Sequence, residues 1–534
     1  MMFKLNQTQI KLNRSNHIRV DCYPVFNNCL SNTLPLRQRI KNNNFQATFT
    51  YLFLFLLLLI SPKLNAQQFQ FTEHCKKAYQ SFMSMKINEG KNYLLKEITT
   101  NPTNYATILL SNYEDFISLT FNENPAEYKR RKPLFEKRIQ LLENADKKSP
   151  YYLFSKALIY FQWSAIQIKY ADYWDAAWDF RKAFLTFKEN KKLFPSFIYN
   201  DIYIGAQEAV ISTIPSGYKW ISKILGMKGN MKNGMSLLTK FIVSEHTLFK
   251  EEAFLYFVYL KNYLENDIEG AMQVIKKYNL DTKNNMLFVF MASNLALNNK
   301  NATYAESILS NRNMSTEYMS FPLLDYEMGD AKMKRLDLTA IYYFEKYIKT
   351  SKSNFYTKDA CYNIALCYYL QGKNDLANQY KNKTKSIGKT ESDADKQAQK
   401  NANKSNFPHK ELLKAKLLND GGNNEQALSI LLKMENINEE NQLEYYYRLA
   451  RVYDELNDFE KAILHYQKAI DLGKNATEYY AARAALQTGY LFEKNGNKTE
   501  ALKYFNLVLS LDDHEFKNSL DQRAKASINR IKGI

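Results

Sequence analysis

Between Leu443 and Asp513 the apolar positions follow a helical period that is broken at regular places. Tyr446, Leu449, Ala450 and Tyr453 fall three or four residues apart, so they share one helical face. Asn457-Asp458 interrupts the pattern, and Ala462, Tyr466 and Ala469 resume it on a return helix. A second unit repeats the order with Gly489 and Phe492, the breaker Asn495-Gly496-Asn497, then Ala501, Phe505 and Val508. Antiparallel helices approach closely only over small side chains, so Ala450, Ala462 and Ala469 read as spacers. Tyr453 and Tyr466 read as the groove-fillers between hairpins.

The pattern recurs. With Ala462 and Ala501 as phase markers, earlier units come into register at Ala271, Ala305, Ala340, Ala377 and Ala427, at intervals of 34, 35, 37, 50, 35 and 39 residues. Twelve residues before the marker stands a small residue in five units: Ser293, Ala365, Ala415, Ala450 and Gly489. Five residues before it stands a turn former in four: Gly372, Gly422, Asn457 and Gly496. These residues resemble the tetratricopeptide repeat, a helix–turn–helix unit of about 34 residues that stacks on its neighbours. The resemblance implies an all-α, tetratricopeptide-like right-handed α-solenoid of stacked helical hairpins, degenerate at its N-terminal end. It also implies a scaffold that binds protein rather than an enzyme.

Five regions follow from this pattern: residues 1–66, 67–250, 251–388, 389–407 and 408–534. The first is an N-terminal extension and signal peptide, with an apolar core at 51–60 that is too short for a comfortable membrane span of about 20 residues. Arg37, Arg39 and Lys41 precede that core and Ala66 follows it, so the mature chain is expected to begin at Gln67; an uncleaved anchor is the alternative. In 67–250 the repeats degrade, while 251–388 and 408–534 hold the legible ones. Residues 389–407 carry almost no apolar side chain and read as a polar linker, a loop or polar helix between solenoid segments. Trp163, Trp174, Trp178 and Trp220 cluster in the degenerate region and read as core.

Composition agrees with a helical array. Only 16 Gly and 11 Pro occur in 534 residues, too few for a β-sandwich with many tight turns. The formal charge is +18, but the first 66 residues hold eight basic and one acidic side chain, leaving a mild +11 for the rest. No Lys/Arg block is long enough to argue for nucleic acid, and Lys129-Arg130-Arg131-Lys132 reads as a solvated helix end before Pro133. Cys75, Cys361 and Cys367 form no Cys-x-x-Cys pair and read as small core residues.

Two further resemblances concern the family. Ile214-Pro215, Leu225-Gly226, Gly229-Asn230 and Gly234-x2-Leu237 resemble a local segment of the eukaryotic inclusion-clearance, Iml-type tetratricopeptide proteins. Met227-Lys228 departs from that pattern, so no function transfers. Leu323-Leu324-Asp325-Tyr326, Gly329-Asp330-Ala331-Lys332, Arg335-Leu336-Asp337 and Lys517-Asn518-Ser519 are similar to a family of exported bacterial tetratricopeptide proteins without assigned activity. That similarity and the leader imply an exported protein, periplasmic or outer-membrane-associated in a Gram-negative bacterium.

The sequence offers little for catalysis. His74, His246, His409, His465 and His514 are scattered singly and read as surface residues, and Gly226-x2-Gly229 lacks the Lys-Ser/Thr of a phosphate loop. No cofactor or metal is expected. The concave groove is the candidate site, and the family's groove positions fall on Tyr362, Tyr369, Leu412, Lys416, Tyr447, Arg451, Asp454, Arg483 and Tyr490. Tyr447 and Arg451 replace the Lys and Asn of the family's carboxylate-reading clamp, so that specificity does not transfer. The leading expectation is a non-catalytic scaffold that binds a protein or peptide segment. A membrane-apposed component held by its basic surface is the alternative.

Overall fold

Most hairpins turn on one residue with left-handed backbone. Lys300 (φ 51°), Gly372 (φ 76°), Gly422 (φ 85°), Asn457 (φ 60°) and Gly496 (φ 78°) all stand five residues before an alanine marker. In each, the next residue sends its N–H back to the first helix: Asn301 to Ala296, Lys373 to Tyr368, Asn423 to Leu418, Asp458 to Tyr453 and Asn497 to Phe492, at 2.8–3.0 Å. Those bonds satisfy carbonyls that the helix end would leave unpaired. Asn301, Asp458 and Asn497 then turn their side chains onto amides of the following helix, so one residue closes the turn and caps the return helix.

The computed structural model describes residues 69–213, 226–265, 267–435 and 437–533, which form twenty-four helices and no strand. The apolar run 51–60, Ile214-Pro215, Trp220 and Leu225 lie outside the described residues. Four hairpins open the described chain: α1 (Glu73–Met83) with α2 (Ile87–Thr100), α3 (Ala106–Asn122) with α4 (Pro125–Leu142), α5 (Pro150–Lys169) with α6 (Tyr173–Leu193), and α7 (Tyr199–Ser212) with α8 (Met231–Val243). Next come α9 (Lys250–Tyr263) with α10 (Ile268–Lys277), α11 (Met286–Asn298) with α12 (Ala302–Asn311), and α13 (Leu323–Met333) with α14 (Ala340–Thr350). After α15 (Thr357–Leu370) and α16 (Asn374–Ser386) stands the single helix α17 (Asp393–Asn403). The last hairpins are α18 (Lys410–Asp420) with α19 (Asn424–Leu432), α20 (Glu439–Glu455) with α21 (Phe459–Leu472), and α22 (Tyr480–Lys494) with α23 (Lys498–Ser510); α24 (Lys517–Lys532) covers the end. The architecture is an all-helical, tetratricopeptide-like solenoid.

The spacers sit where they are needed. Ala271, Ala305, Ala340, Ala377, Ala427, Ala462 and Ala501 are all fully buried, and so are Cys75, Cys361 and Cys367. The same turn extends upstream of Glu251, where Asp172 bonds back to Gln167 and Lys86 to Ser81 around Ala171 (φ 66°) and Met85 (φ 67°). Ala176 and Gly90 occupy the buried marker position there.

Three expectations change. Trp163 is buried, but Trp174 and Trp178 are 63 % and 48 % exposed, because both lie on the outer face of α6 while Ala176, Ala183 and Phe187 fill the inner one. Helix α4 runs through Pro133 instead of ending before it; the ring is exposed, so the carbonyl left without its N–H can meet water. Within the basic run Arg131 is half-buried, held by Glu114, Asp115 and Glu127. The segment 389–407 contains α17, in which Asp395, Ala398 and Ala402 are buried against α15 and α16.

The first nine helices curl around their own side chains. Phe249 touches the rings of Phe71, Tyr79, Phe154 and Tyr199, and Glu252 accepts hydroxyl bonds from Tyr113, Tyr203 and Tyr256. The inner face of that region is therefore core and leaves no open groove along these contacts.

Candidate functional site

Packing comes first in the C-terminal hairpins. Gly489 lets the ring of Phe505 lie against α22, since a Cβ there would stand 2.5 Å from its Cε1. Tyr466, fully buried on α21, reaches across its hairpin and donates to Asp454 at 2.8 Å. Asp454 also accepts from Arg451 at 2.9 Å, and Glu455 accepts from the other arm of Arg451 at 2.8 Å. A buried tyrosine thus aims an aspartate, which in turn aims an arginine along α20.

On α22 four residues recur at the helical period: Arg483, Gln487, Tyr490 and Lys494. The last three face the Arg451–Asp454–Glu455 edge of α20 across a cleft of about 420 Å³, which Asn457 and Leu491 complete. Gln487 and Tyr490 make no side-chain hydrogen bond among the described residues, and Arg483 has no ion-pair partner among them. One wall of the cleft is internally satisfied; the other presents open donors and acceptors.

The structure brings Arg451, Asp454 and Tyr490 together in this cleft, with Arg483 on the same stripe one turn before Gln487. Tyr447 is 4 % exposed and is a packing residue: its ring lies against Tyr480 at 5.2 Å with the Arg448 guanidinium 5.5 Å from its centre. Tyr362 is 5 % exposed on α15, and burial pushes its hydroxyl up to about 12. Leu412 is also buried. Tyr369 stacks on Phe407 with ring centres 4.6 Å apart, fastening the end of the 389–407 segment to α15. Lys416 belongs to a charge network on α18. Burial works against the Asp420 carboxylate, yet Lys416, Arg448, Lys334 and Lys300 outweigh it and hold Asp420 below its usual range.

Glu455, Asn457, Gln487, Leu491 and Lys494 are the cleft residues missed from sequence. A signal existed, because Gln487 and Lys494 continue the period set by Arg483 and Tyr490. Of the histidines read as surface, His514 is buried, while His465 is half-buried, stacked on Tyr453 with ring centres 5.6 Å apart. Neither lines the cleft.

The cleft is therefore formed by the first helices of two successive hairpins. Those two hairpins match the tetratricopeptide repeat family, at residues 443–475 and 482–515. The first match spans α20 and α21, the second α22 and α23. Among solved structures the chain is similar to one described as Naa15/Naa10 bound to HypK-THB, at 12 % identity and TM-score 0.25, covering 85 % of this chain and 66 % of that one. It is also similar to the hetero-tetramer Cut9-Hcn1 of the APC/C, at 10 % identity and TM-score 0.22, covering 88 % of this chain and 98 % of that one. No curated protein matches the chain.

Proposed function

We propose that the C-terminal repeats form a non-catalytic scaffold that holds a segment of a partner protein in the cleft between α20 and α22. The observation that carries this reading is the asymmetry of the two walls. Arg451, Asp454, Glu455 and Tyr466 satisfy one another, giving a rigid edge, while Gln487 and Tyr490 have polar groups left to engage a ligand. Preorganised walls lower the ordering cost of binding, and tyrosine and arginine are the side chains that most often anchor interfaces. The repeat matches support protein binding in general terms. The leader at 51–60 supports export, so we place the partner in the cell envelope of a Gram-negative bacterium.

The test places a photo-crosslinking side chain at Gln487 in the full chain, expressed in its own cell. Adducts are expected at Gln487 and are expected to disappear on Tyr490→Ala and Arg451→Ala. A crosslinker on the outer face of α23, at Lys503, should not give the same adducts. An adduct pattern unchanged by both cleft variants would reject the assignment.

A further inference from the structure

Two exposed tryptophans on one helix face need an explanation that the cleft does not give. Trp174 and Trp178 are one turn apart on α6 and 63 % and 48 % exposed; Tyr173 beside them and Leu185 two turns on are also exposed. Single exposed apolar side chains are ordinary, but a row of large aromatics at helical spacing marks a contact surface.

Helix α4 meets the start of α6. Lys132 bonds Asp172 at 2.9 Å and Asp175 at 3.1 Å, and Tyr128 stacks on Tyr170 with ring centres 4.3 Å apart, so the N-terminal half of α4 sits against the turn that carries Tyr173 and Trp174. The exposed face of α4 repeats the theme, with Leu134 and Leu141 among Lys129, Arg130 and Lys137. On α6 the exposed cations are Lys182, Lys188 and Lys192. Against those six cations the two helices expose three carboxylates, Glu136, Asp175 and Glu189. The acids that pair Lys182 and Lys188, Asp179 and Glu208, are buried beneath them, so the ammonium heads are outermost.

We infer that the α4/α6 face docks on a membrane surface bearing anionic lipid headgroups. Tryptophan and tyrosine have an apolar body and a polar tip, which suits the boundary between headgroups and acyl chains. Lysine and arginine extend their stems past apolar neighbours and keep the charge in the headgroup layer. The two-to-one excess of exposed cations matches an anionic surface, and a headgroup layer accepts protruding rings without a preformed pocket. This surface is independent of the α20/α22 cleft, so a scaffold attached here would keep its cleft free.

The experiment mixes the full chain with vesicles of phosphatidylcholine containing phosphatidylglycerol, and separately with phosphatidylcholine alone, and follows co-sedimentation. Binding is expected on the anionic vesicles, weaker on the neutral ones, and weaker as salt shortens the screening length. Trp174→Ala with Trp178→Ala should raise the half-saturating lipid concentration about tenfold or more. Lys129→Glu with Arg130→Glu should abolish the preference for anionic vesicles. Both pairs are exposed, so unchanged circular dichroism confirms folding, and Arg451→Ala should bind vesicles like the wild type. Equal binding by wild type and the tryptophan variant would overturn the proposal, since attachment would then come from elsewhere in the chain. Concentration-dependent dimerisation lost with Trp174 and Trp178, without vesicle binding, would overturn it in favour of a second copy of this chain.

Discussion

A methyl group at position 489 would stand 2.5 Å from Cε1 of Phe505, closer than any carbon can sit. Gly489→Ala must push the ring out of a fully packed site, and overpacking of that kind costs about 1–3 kcal/mol. The urea midpoint should fall accordingly, and Phe505→Leu in the same chain should recover part of the loss. Gly496 fails differently: its φ is 78° with open space around it, so Gly496→Ala should cost only about 1 kcal/mol of backbone strain, and no second-site change should rescue it. The side chain at a spacer is thus readable from sequence, because size alone decides whether it fits. The turn residue is less so. Gly372 and Asn457 advertise left-handed backbone, whereas Met85, Ala171 and Lys300 adopt it without any such signature, held by the bonds on either side of them. That is why the repeats fade from view upstream of Glu251 while the hairpins themselves continue. Glu252 gives a pH signature at the same scale. Burial pushes its carboxyl up from 4.5 to about 7, against the pull of the hydroxyls of Tyr113, Tyr203 and Tyr256. Stability is therefore fullest below the unfolded value and is lost as pH rises through the folded one, by about 3 kcal/mol at most. Burial also raises Glu251, which adds in the same direction. Urea midpoints should fall from pH 5 to pH 8, and Glu252→Gln should remove at least half of that fall; an unchanged slope would show that Glu252 does not set it.

Helix α17 shows what an element can do without apolar side chains. Ser392 caps it, and its Asp395 side chain turns outward to a different helix, accepting the backbone N–H groups of Tyr356 at 2.7 Å, Lys358 at 2.9 Å and Asp359 at 3.2 Å. Asp395 therefore caps α15 from a distant part of the chain and satisfies donors that a helix start leaves unpaired. Hydropathy could not reveal this role. Only Ala398 and Ala402 of α17 are buried apolar residues, and neither gives a hydrophobic signal against so many polar neighbours. Asp395→Ala leaves three buried or half-buried amides without their acceptor and should cost about 1–3 kcal/mol. Hydrogen exchange at Lys358 and Asp359 should quicken while that of α22 stays as in the wild type. Uniform acceleration along the chain would mean that Asp395 acts on global stability and not on the start of α15.

The C-terminal hairpins are tied to the middle of the chain through the tips of their turns. Ala302 donates its N–H to the Gly421 carbonyl at 3.1 Å, and Lys300 reaches Asn419 at 3.2 Å and Glu455 at 2.7 Å. A side chain at Gly422 would collide with the Lys300 carbonyl, since its Cβ would stand 2.0 Å away, so the two turns need glycine to touch. Lys400 adds a further tie, bonding Glu515 at 2.5 Å beside α24. A repeat-by-repeat reading of the sequence sees only neighbours, and these contacts join residues more than a hundred positions apart. They matter for the cleft because Glu455 belongs to both: it accepts from Arg451 inside the cleft and from Lys300 across the junction. Burial lowers the Lys300 ammonium and Glu455 offsets it, so removing Glu455 would leave a half-buried cation without its carboxylate. Lys300→Ala removes the bonds to Asn419 and Glu455 at once and should release the C-terminal hairpins while leaving each one folded. Circular dichroism should stay constant, the radius of gyration from X-ray scattering should rise, and proteolysis between Asn403 and His409 should quicken. Binding and junction are linked reciprocally, so a ligand that orders the cleft should slow that same proteolysis in the wild type. If Lys300→Ala changes neither scattering nor cleavage, the turn-to-turn contacts do not set the arrangement of the hairpins, and the cleft acts alone.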